Sequence, residues 1–211
     1  MIYLIGGPPR SGKTTLAKFA SKKLGIPWIS CDTLEVIAGA YMGKQKWNKT
    51  HPYSKLRRKH RGNDAFYEAY SPKTIVDVLY KQARPTATAI DMMSICEIKD
   101  ENDYIIEGYH IVPSLIQKLT KKYGRKNFKA IFLVKHDKHK FAEDVNKSTT
   151  PNDWMLLGTK KQGTFIKIGE MVALYSQLLE KEANKFGYKV FAMDEKFESK
   201  LRQATDYLFG S

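Results

Sequence analysis

The stretch Gly6-Gly7-Pro8-Pro9-Arg10-Ser11-Gly12-Lys13-Thr14-Thr15 follows directly on the apolar run Ile2-Tyr3-Leu4-Ile5. Gly7 to Thr14 fits the pattern G-x-x-x-x-G-K-[ST], and the chemistry of that pattern is the holding of a polyphosphate. Gly7 and Gly12 permit backbone angles that a side chain forbids. The N–H groups from about Arg10 to Thr15 can then converge into an anion-binding nest. The positive end of the following helix adds to the field. Lys13 neutralises the terminal phosphates, and the Thr14 hydroxyl is of the kind that ligates magnesium. Pro8 and Pro9 have no N–H and stiffen the turn. The expected phosphate-binding set is Gly7, Pro9, Arg10, Ser11, Gly12, Lys13, Thr14 and Thr15.

Two further stretches place acids at the ends of apolar runs. Ile29-Ser30-Cys31-Asp32-Thr33-Leu34 carries Asp32, and Tyr104-Ile105-Ile106-Glu107-Gly108-Tyr109-His110 carries Glu107 and His110. Phosphoryl transfer is mostly positioning and charge stabilisation, with one acceptor for the hydroxyl proton. Asp32 is the residue type for that last task. An Asp before Thr-Leu-Glu, with Glu35 three residues on, also reads as a helix N-cap. An apolar strand ending in an acid can hold a magnesium shell through water or leave the acid facing solvent. His110 reads either as a substrate contact or as a partly buried structural histidine.

Elements must bring these residues together. Strands are expected at Ile2–Ile5, Pro27–Cys31, Tyr104–Glu107, Phe128–Val134 and Tyr188–Met193. Helices are expected at Lys13–Leu24, about Pro72–Arg84, Pro85–Lys99, Pro113–Tyr123 and Thr164–Phe186. In the first of these, Leu16, Ala20 and Leu24 recur at helical spacing before Gly25. Three begin with proline, a favourable first helical residue. Alternating strand and helix predicts a mostly parallel sheet with helices on both faces. Ligands of such sheets sit at the carboxyl ends of the strands.

The chain has 211 residues with 42% hydrophobic content, which suits one fairly large domain. Its net charge of +14 calls for an anionic partner. Cys31 and Cys96 have no metal-type spacing, which fits a reducing compartment. No window approaches a membrane span. The first apolar run is cut by Gly6, too early for a signal peptide, so a cytoplasmic protein with no membrane partner is expected.

Gly7 to Lys13, in the form G-x-P-x-S-G-K, resembles the adenylate-kinase type of loop. The chain as a whole resembles the P-loop kinase group of adenylate kinase-like nucleoside, nucleotide and small-metabolite kinases. The Ile105–His110 stretch, "IIEG-x-H", resembles uridine-kinase-like and 2-phosphoglycerate-kinase-like members. The resemblance implies an α/β, P-loop NTPase-type fold: a parallel five-stranded sheet, helices on both faces and a lid after the fourth strand. It implies Lys13 and Asp32 as catalytic residues, with Asp32 opposite the loop. Thr14 and Glu107 would serve the metal. Gly108 would let the backbone approach a ligand. One P-loop kinase domain would span 1–211.

Two departures stand out. Members often carry glycine where this chain has Arg10, and they clamp the phosphates with lid arginines. The expected lid, about 135–163, contains no arginine but offers Lys135, Lys138, Lys140, Lys147, Lys160 and Lys161. Lysine supplies charge without a bidentate fork, so Arg10 is a candidate replacement. The second departure is a basic insert, about 41–63. Val36 to Asn63 holds no acid and eight cations, including Arg57, Arg58 and Arg61. It reads either as a solvated face or as the recruiter of an anionic acceptor, with Tyr41, Trp47 and Tyr53 available to stack a ring.

The resulting expectation is an Mg2+- and ATP-dependent phosphotransferase acting on a hydroxyl of a small anionic metabolite, nucleoside or nucleotide. Its acceptor-side residues would be Asp32, Arg57, Arg58, Arg61 and His110. Two alternatives stay open. One is a kinase of polynucleotide 5′-hydroxyls, with nucleic acid as partner. The other is a nucleotide-binding switch acting through a protein. The GTPase signature N-K-x-D is not met, since Asn146-Lys147-Ser148-Thr149 fails at its last position.

Overall fold

The computed structural model describes residues 1–150 and 153–210. In chain order its elements are β1 (Ile2–Gly6), α1 (Lys13–Leu24), β2 (Trp28–Ser30), α2 (Cys31–Ala40), α3 (Lys44–Thr50), α4 (Pro52–Arg57), α5 (Gly62–Ala69) and α6 (Pro72–Lys99). Then follow β3 (Tyr104–Gly108), α7 (Pro113–Tyr123), β4 (Phe128–Val134), α8 (Lys138–Asn146), α9 (Trp154–Leu157), α10 (Gln162–Phe186), β5 (Lys189–Ala192) and α11 (Phe197–Phe209). The strands form one five-stranded sheet in the order β2-β3-β1-β4-β5, and every neighbouring pair is parallel.

Alternation along the strands assigns the two faces. Ile2 and Leu4 of β1, Ile106 of β3 and Phe128 and Phe132 of β4 face one core, which α6, α7, α8 and α10 cover. Tyr3 and Ile5, Ile105, and Ile131 and Leu133 face the other, covered by α1 and α11. Burying each such side chain stabilises by about 1.5–3 kcal/mol. A one-residue slip would exchange the two faces of a strand, so the register is strongly specified. That register places Gly6 beside both Gly108 and Phe132, and Glu107 beside Ile5 and Ser30. The carboxyl ends of the three middle strands and of β2 therefore meet at one edge.

The expected helices Pro72–Arg84 and Pro85–Lys99 are a single helix, α6, of 28 residues with Pro85 inside it. An internal proline costs about 3 kcal/mol. The buried stripe Ile75, Val76, Leu79, Ala83, Thr86 and Ile90 continues unbroken past it, and burial on both sides outweighs the lost bond. Strand β2 is shorter than expected because Cys31 already begins α2. The basic insert is not one helix but α3, α4 and the turn into α5, where Gly62 takes φ 79°. Residues 151 and 152, inside the expected lid, lie outside the described residues; around them are α8 and α9. No helix among the described residues is long and apolar enough to cross a membrane.

Candidate active site

The loop leaves the sheet between the ends of β3 and β4. Its glycines are dictated by close approaches. A Cβ on Gly7, at φ 150°, would lie 2.2 Å from the Leu133 carbonyl oxygen. One on Gly12, at φ 99°, would lie 2.8 Å from the Phe197 ring. Arg10 takes φ 59° without being glycine, a left-handed conformation that costs about 1–2 kcal/mol. Its guanidinium is held by the buried carboxylate of Asp153 and donates to Ser148 Oγ at 3.1 Å. Arg10 thus ties the loop to the segment that precedes α9.

Lys13 opens α1 and is buried. Its Nζ donates to the Pro8 carbonyl at 2.7 Å. Burial lowers its pKa, and the carboxylates of Glu107 and Asp32 work against that shift. Thr14 Oγ1 donates to Glu107 Oε1 at 2.8 Å. Burial raises the pKa of Glu107, opposed by Lys13 and by the Thr14 hydrogen bond. Ser11 Oγ is buried without a hydrogen-bond partner among the described residues. These features fit a polyphosphate with Mg2+: a cradle closed to any Cβ, a buried cation, and a hydroxyl beside a carboxylate. No cluster of three His, Cys, Asp or Glu suited to a metal occurs among the described residues. A cation here would draw most of its oxygens from phosphate and water, as Mg2+ does.

Two cavities open on either side of this loop. The larger, about 620 Å3, is lined by Arg10, Gly12, Lys13, Thr14 and Thr15, by Lys135, Lys140, Phe141 and Asp144 from the region after β4, and by Met193, Asp194, Lys196 and Phe197 after β5. Asp194 fixes the chain leaving β4, accepting from the His136 and Asp137 N–H groups at 2.8 and 2.9 Å. The second, about 480 Å3, again contains Arg10, Lys13 and Thr14, and adds Pro9. Its other walls are Asp32 and Glu35 of α2, Tyr53, Ser54 and Arg57 of α4, Gln82 of α6, Glu107, Tyr109 and Trp154.

Asp32 does face the loop across this second cavity, with its side chain largely exposed. It is not the helix cap: its N–H donates to Ser30 Oγ at 3.1 Å, so Ser30 caps α2. Gln82 organises the far wall. Its Nε2 donates to Glu35 Oε1 at 2.9 Å, Ser54 Oγ at 3.0 Å and Tyr109 OH at 3.3 Å, and its Oε1 accepts from the Ser54 N–H.

The arginines of the insert separate. Arg57 lines the cavity and donates to the Gly62 carbonyl and to Asn63. Arg58 is exposed and donates to Asn48 at 3.1 Å. Arg61 is exposed at the start of α5. Neither lines the cavity. Of the aromatic residues, Tyr53 lines it, Tyr41 is 90% exposed, and Trp47 stacks on His51 at 3.5 Å. Gly108 lines the second cavity and also makes room for Cys31: an added Cβ would lie 2.6 Å from Cys31 Cβ. Cys31 itself is buried, and burial pushes its thiol well up, so it is no nucleophile. Among the lid lysines, Lys135 and Lys140 reach the larger cavity, and both pair with Asp144. His110 is wholly buried beneath Asp32 and Glu35.

Sequence reasoning missed Gln82, Tyr109 and Ser54 on one side and Asp194 and Phe197 on the other. No local pattern marks them. Glu35, three residues after Asp32 and hence on the same helical side, was visible only as a capping partner.

A family model described as ATPase family associated with various cellular activities (AAA) matches residues 3–135, and the chain belongs to that family. The match runs from β1 to the end of β4 and includes the loop, Asp32 and Glu107. No curated protein matches the chain. Similar solved structures include an inferred kinase from Chloroflexus aurantiacus, at 15% identity and TM-score 0.50, covering 98% of this chain and 94% of that one. An uncharacterised protein from Eubacterium ventriosum matches at 12% identity and TM-score 0.50, covering 100% and 99%. Shikimate kinase from Bacteroides thetaiotaomicron matches at 19% identity and TM-score 0.47, covering 99% and 98%. The likeness concerns the fold alone, a five-stranded parallel sheet with helices on both faces.

Proposed function

We propose that this chain is an Mg2+- and ATP-dependent kinase. It would move the γ-phosphoryl group of ATP to a hydroxyl of a small anionic acceptor. The observation that carries this reading is the pair of cavities meeting on the phosphate loop, with Arg10, Lys13 and Thr14 lining both. A hydrolase or a switch needs the first cavity only.

In this reading the larger cavity takes ATP. Phe197, against Gly12, supplies a face for the base, and Lys135, Lys140 and Lys196 supply charge. Lys13 stabilises charge on the transferred group. Thr14 and Glu107 would hold Mg2+, which would supply charge to shield the phosphates. Asp32 accepts the proton of the acceptor hydroxyl as its oxygen bonds to phosphorus and ADP departs. Arg57, which no carboxylate pairs among the described residues, binds the acceptor's anionic group. Tyr53 and Trp154 wall its carbon skeleton. The free cysteines Cys31 and Cys96 suit a reducing, cytoplasmic setting.

Labelled ATP presented with nucleosides, hydroxy acids, sugar phosphates and RNA 5′-hydroxyl ends tests the proposal. Transfer to one small acceptor class, with weak dependence on salt, is the expected result. A polynucleotide acceptor would show affinity falling steeply with log salt. ATP hydrolysis with no acceptor labelled at all would refute the kinase reading.

A further inference from the structure

His110 lies on the turn after β3 and is 0% exposed. Neither of its ring nitrogens has a hydrogen-bond partner among the described residues. Burying polar groups unpaired is unfavourable. Yet the ring is not surrounded by apolar atoms alone. Nδ1 lies 3.8 Å from Asp32 Oδ1, and Nε2 lies 3.6 Å from Glu35 Oε2. Each gap is about 1 Å longer than a charge-assisted N–H···O bond. Tyr109 packs against the ring, with centroids 3.7 Å apart.

Helix α2 needs such support. Its only buried residue is Cys31, and Val36 and Ile37 on it are 70% and 50% exposed. Core packing reaches its first turn, through Cys31 and Leu34, and Gly39 near its other end meets the Trp47 ring. Of the two carboxylates that it presents to the second cavity, Asp32 rests on this ring, and Glu35 rests on it and on the buried His51, whose Nε2 lies 3.4 Å from Glu35 Oε1.

We infer that His110 is a positioning residue that assigns these carboxylates to different tasks. Through Nδ1 it aims Asp32 at the acceptor hydroxyl. Through Nε2 it holds Glu35, with Gln82 on the other oxygen, against the acceptor's remaining polar groups. His110 does not itself touch the acceptor. The inference rests on Asp32 being the proton acceptor of a kinase.

Two substitutions separate the tasks. The amide nitrogen of Asn stands near the place of Nδ1, and that of Gln near the place of Nε2. His110→Asn is expected to keep kcat within about 3-fold and to raise the acceptor KM about 10-fold. His110→Gln is expected to lower kcat about 10-fold and to keep the acceptor KM within about 3-fold. The ATP KM stays put in both. Variants that shift the same parameter equally, or that change only the melting temperature, would overturn the inference. A second measurement needs no acceptor and leaves His110 in place. In 15N spectra of the histidine rings of the whole chain, Asp32→Asn should move the Nδ1 signal of His110 and Glu35→Gln its Nε2 signal. If transfer is robust and neither signal responds, the positioning inference fails alone. If both respond and no acceptor is ever labelled, the kinase reading fails and the contacts stand.

Discussion

On one side of the phosphate loop the cavity walls come from the segments that follow β4 and β5; on the other they come from α2, α4 and α6. The first side is rich in lysine, with Lys135, Lys140 and Lys196 set against Asp144 and Asp194. The second concentrates carboxylates, with Asp32, Glu35 and Glu107 set against Arg57. A polyphosphate is best served by the first set and a hydroxyl about to lose its proton by the second. The division teaches where each step of a transfer would be controlled. In the proposed reading charge would be stabilised on the donor side and the proton taken on the acceptor side, with the loop alone acting on both.

The sharpest test of that division is the loop itself. Lys13→Ala should lower transfer by ~10²–10³-fold, about 3–4 kcal/mol of transition-state stabilisation, and calorimetry should show weakened ATP binding. Next in size, Asp32→Asn should lower kcat by ~10²-fold, in the range of a lost general base, with ATP affinity intact. Wild-type turnover in that variant would remove the proton from the acceptor side and break the comparison.

Two mirror-image substitutions come below these. Phe197→Ala should raise the ATP KM about 10-fold, the size of one lost base–aromatic stack, and leave the acceptor KM alone. Arg57→Gln should raise the acceptor KM about 10-fold, as for one lost charge-assisted contact, and leave the ATP KM alone. Arg58→Gln with Arg61→Gln should change neither, since both side chains point away from the cavity. Crossed effects in steady-state kinetics would show that the two sides are not separate.

The smallest effect concerns the support of the donor side. Asp137 caps α8, accepting from the His139 and Lys140 N–H groups at 2.9 and 3.0 Å. Asp137→Ala should cost about 1 kcal/mol in denaturant unfolding at neutral pH. Those hydrogen bonds hold the carboxyl pKa of Asp137 below its usual value. A depressed carboxylate contributes stability above its unfolded pKa and loses it as pH falls through the folded one. The gap between variant and parent should therefore close in acid, below the ordinary aspartate range.

The donor loop was legible in the sequence because its chemistry is local. Gly7, Gly12, Lys13 and Thr14 act through backbone angles and a helix end, all within a few residues. Strand alternation was equally readable, since Ile2 and Leu4 must face away from Tyr3 and Ile5 whatever lies beyond them. What the sequence by itself determined is thus the phosphate loop, the parallel sheet and the acids at its strand ends. The tertiary structure alone decided that Gln82, 47 residues from its partner Glu35, closes the far wall of the second cavity. It also decided that Arg57 faces inward while Arg58 and Arg61 do not, that Pro85 leaves α6 whole, and that Arg10 reaches Asp153 across 143 residues. The reason is one of range. A motif records what neighbouring residues do to one backbone, whereas a cavity wall is set by which distant helices share a core, and no short pattern carries that.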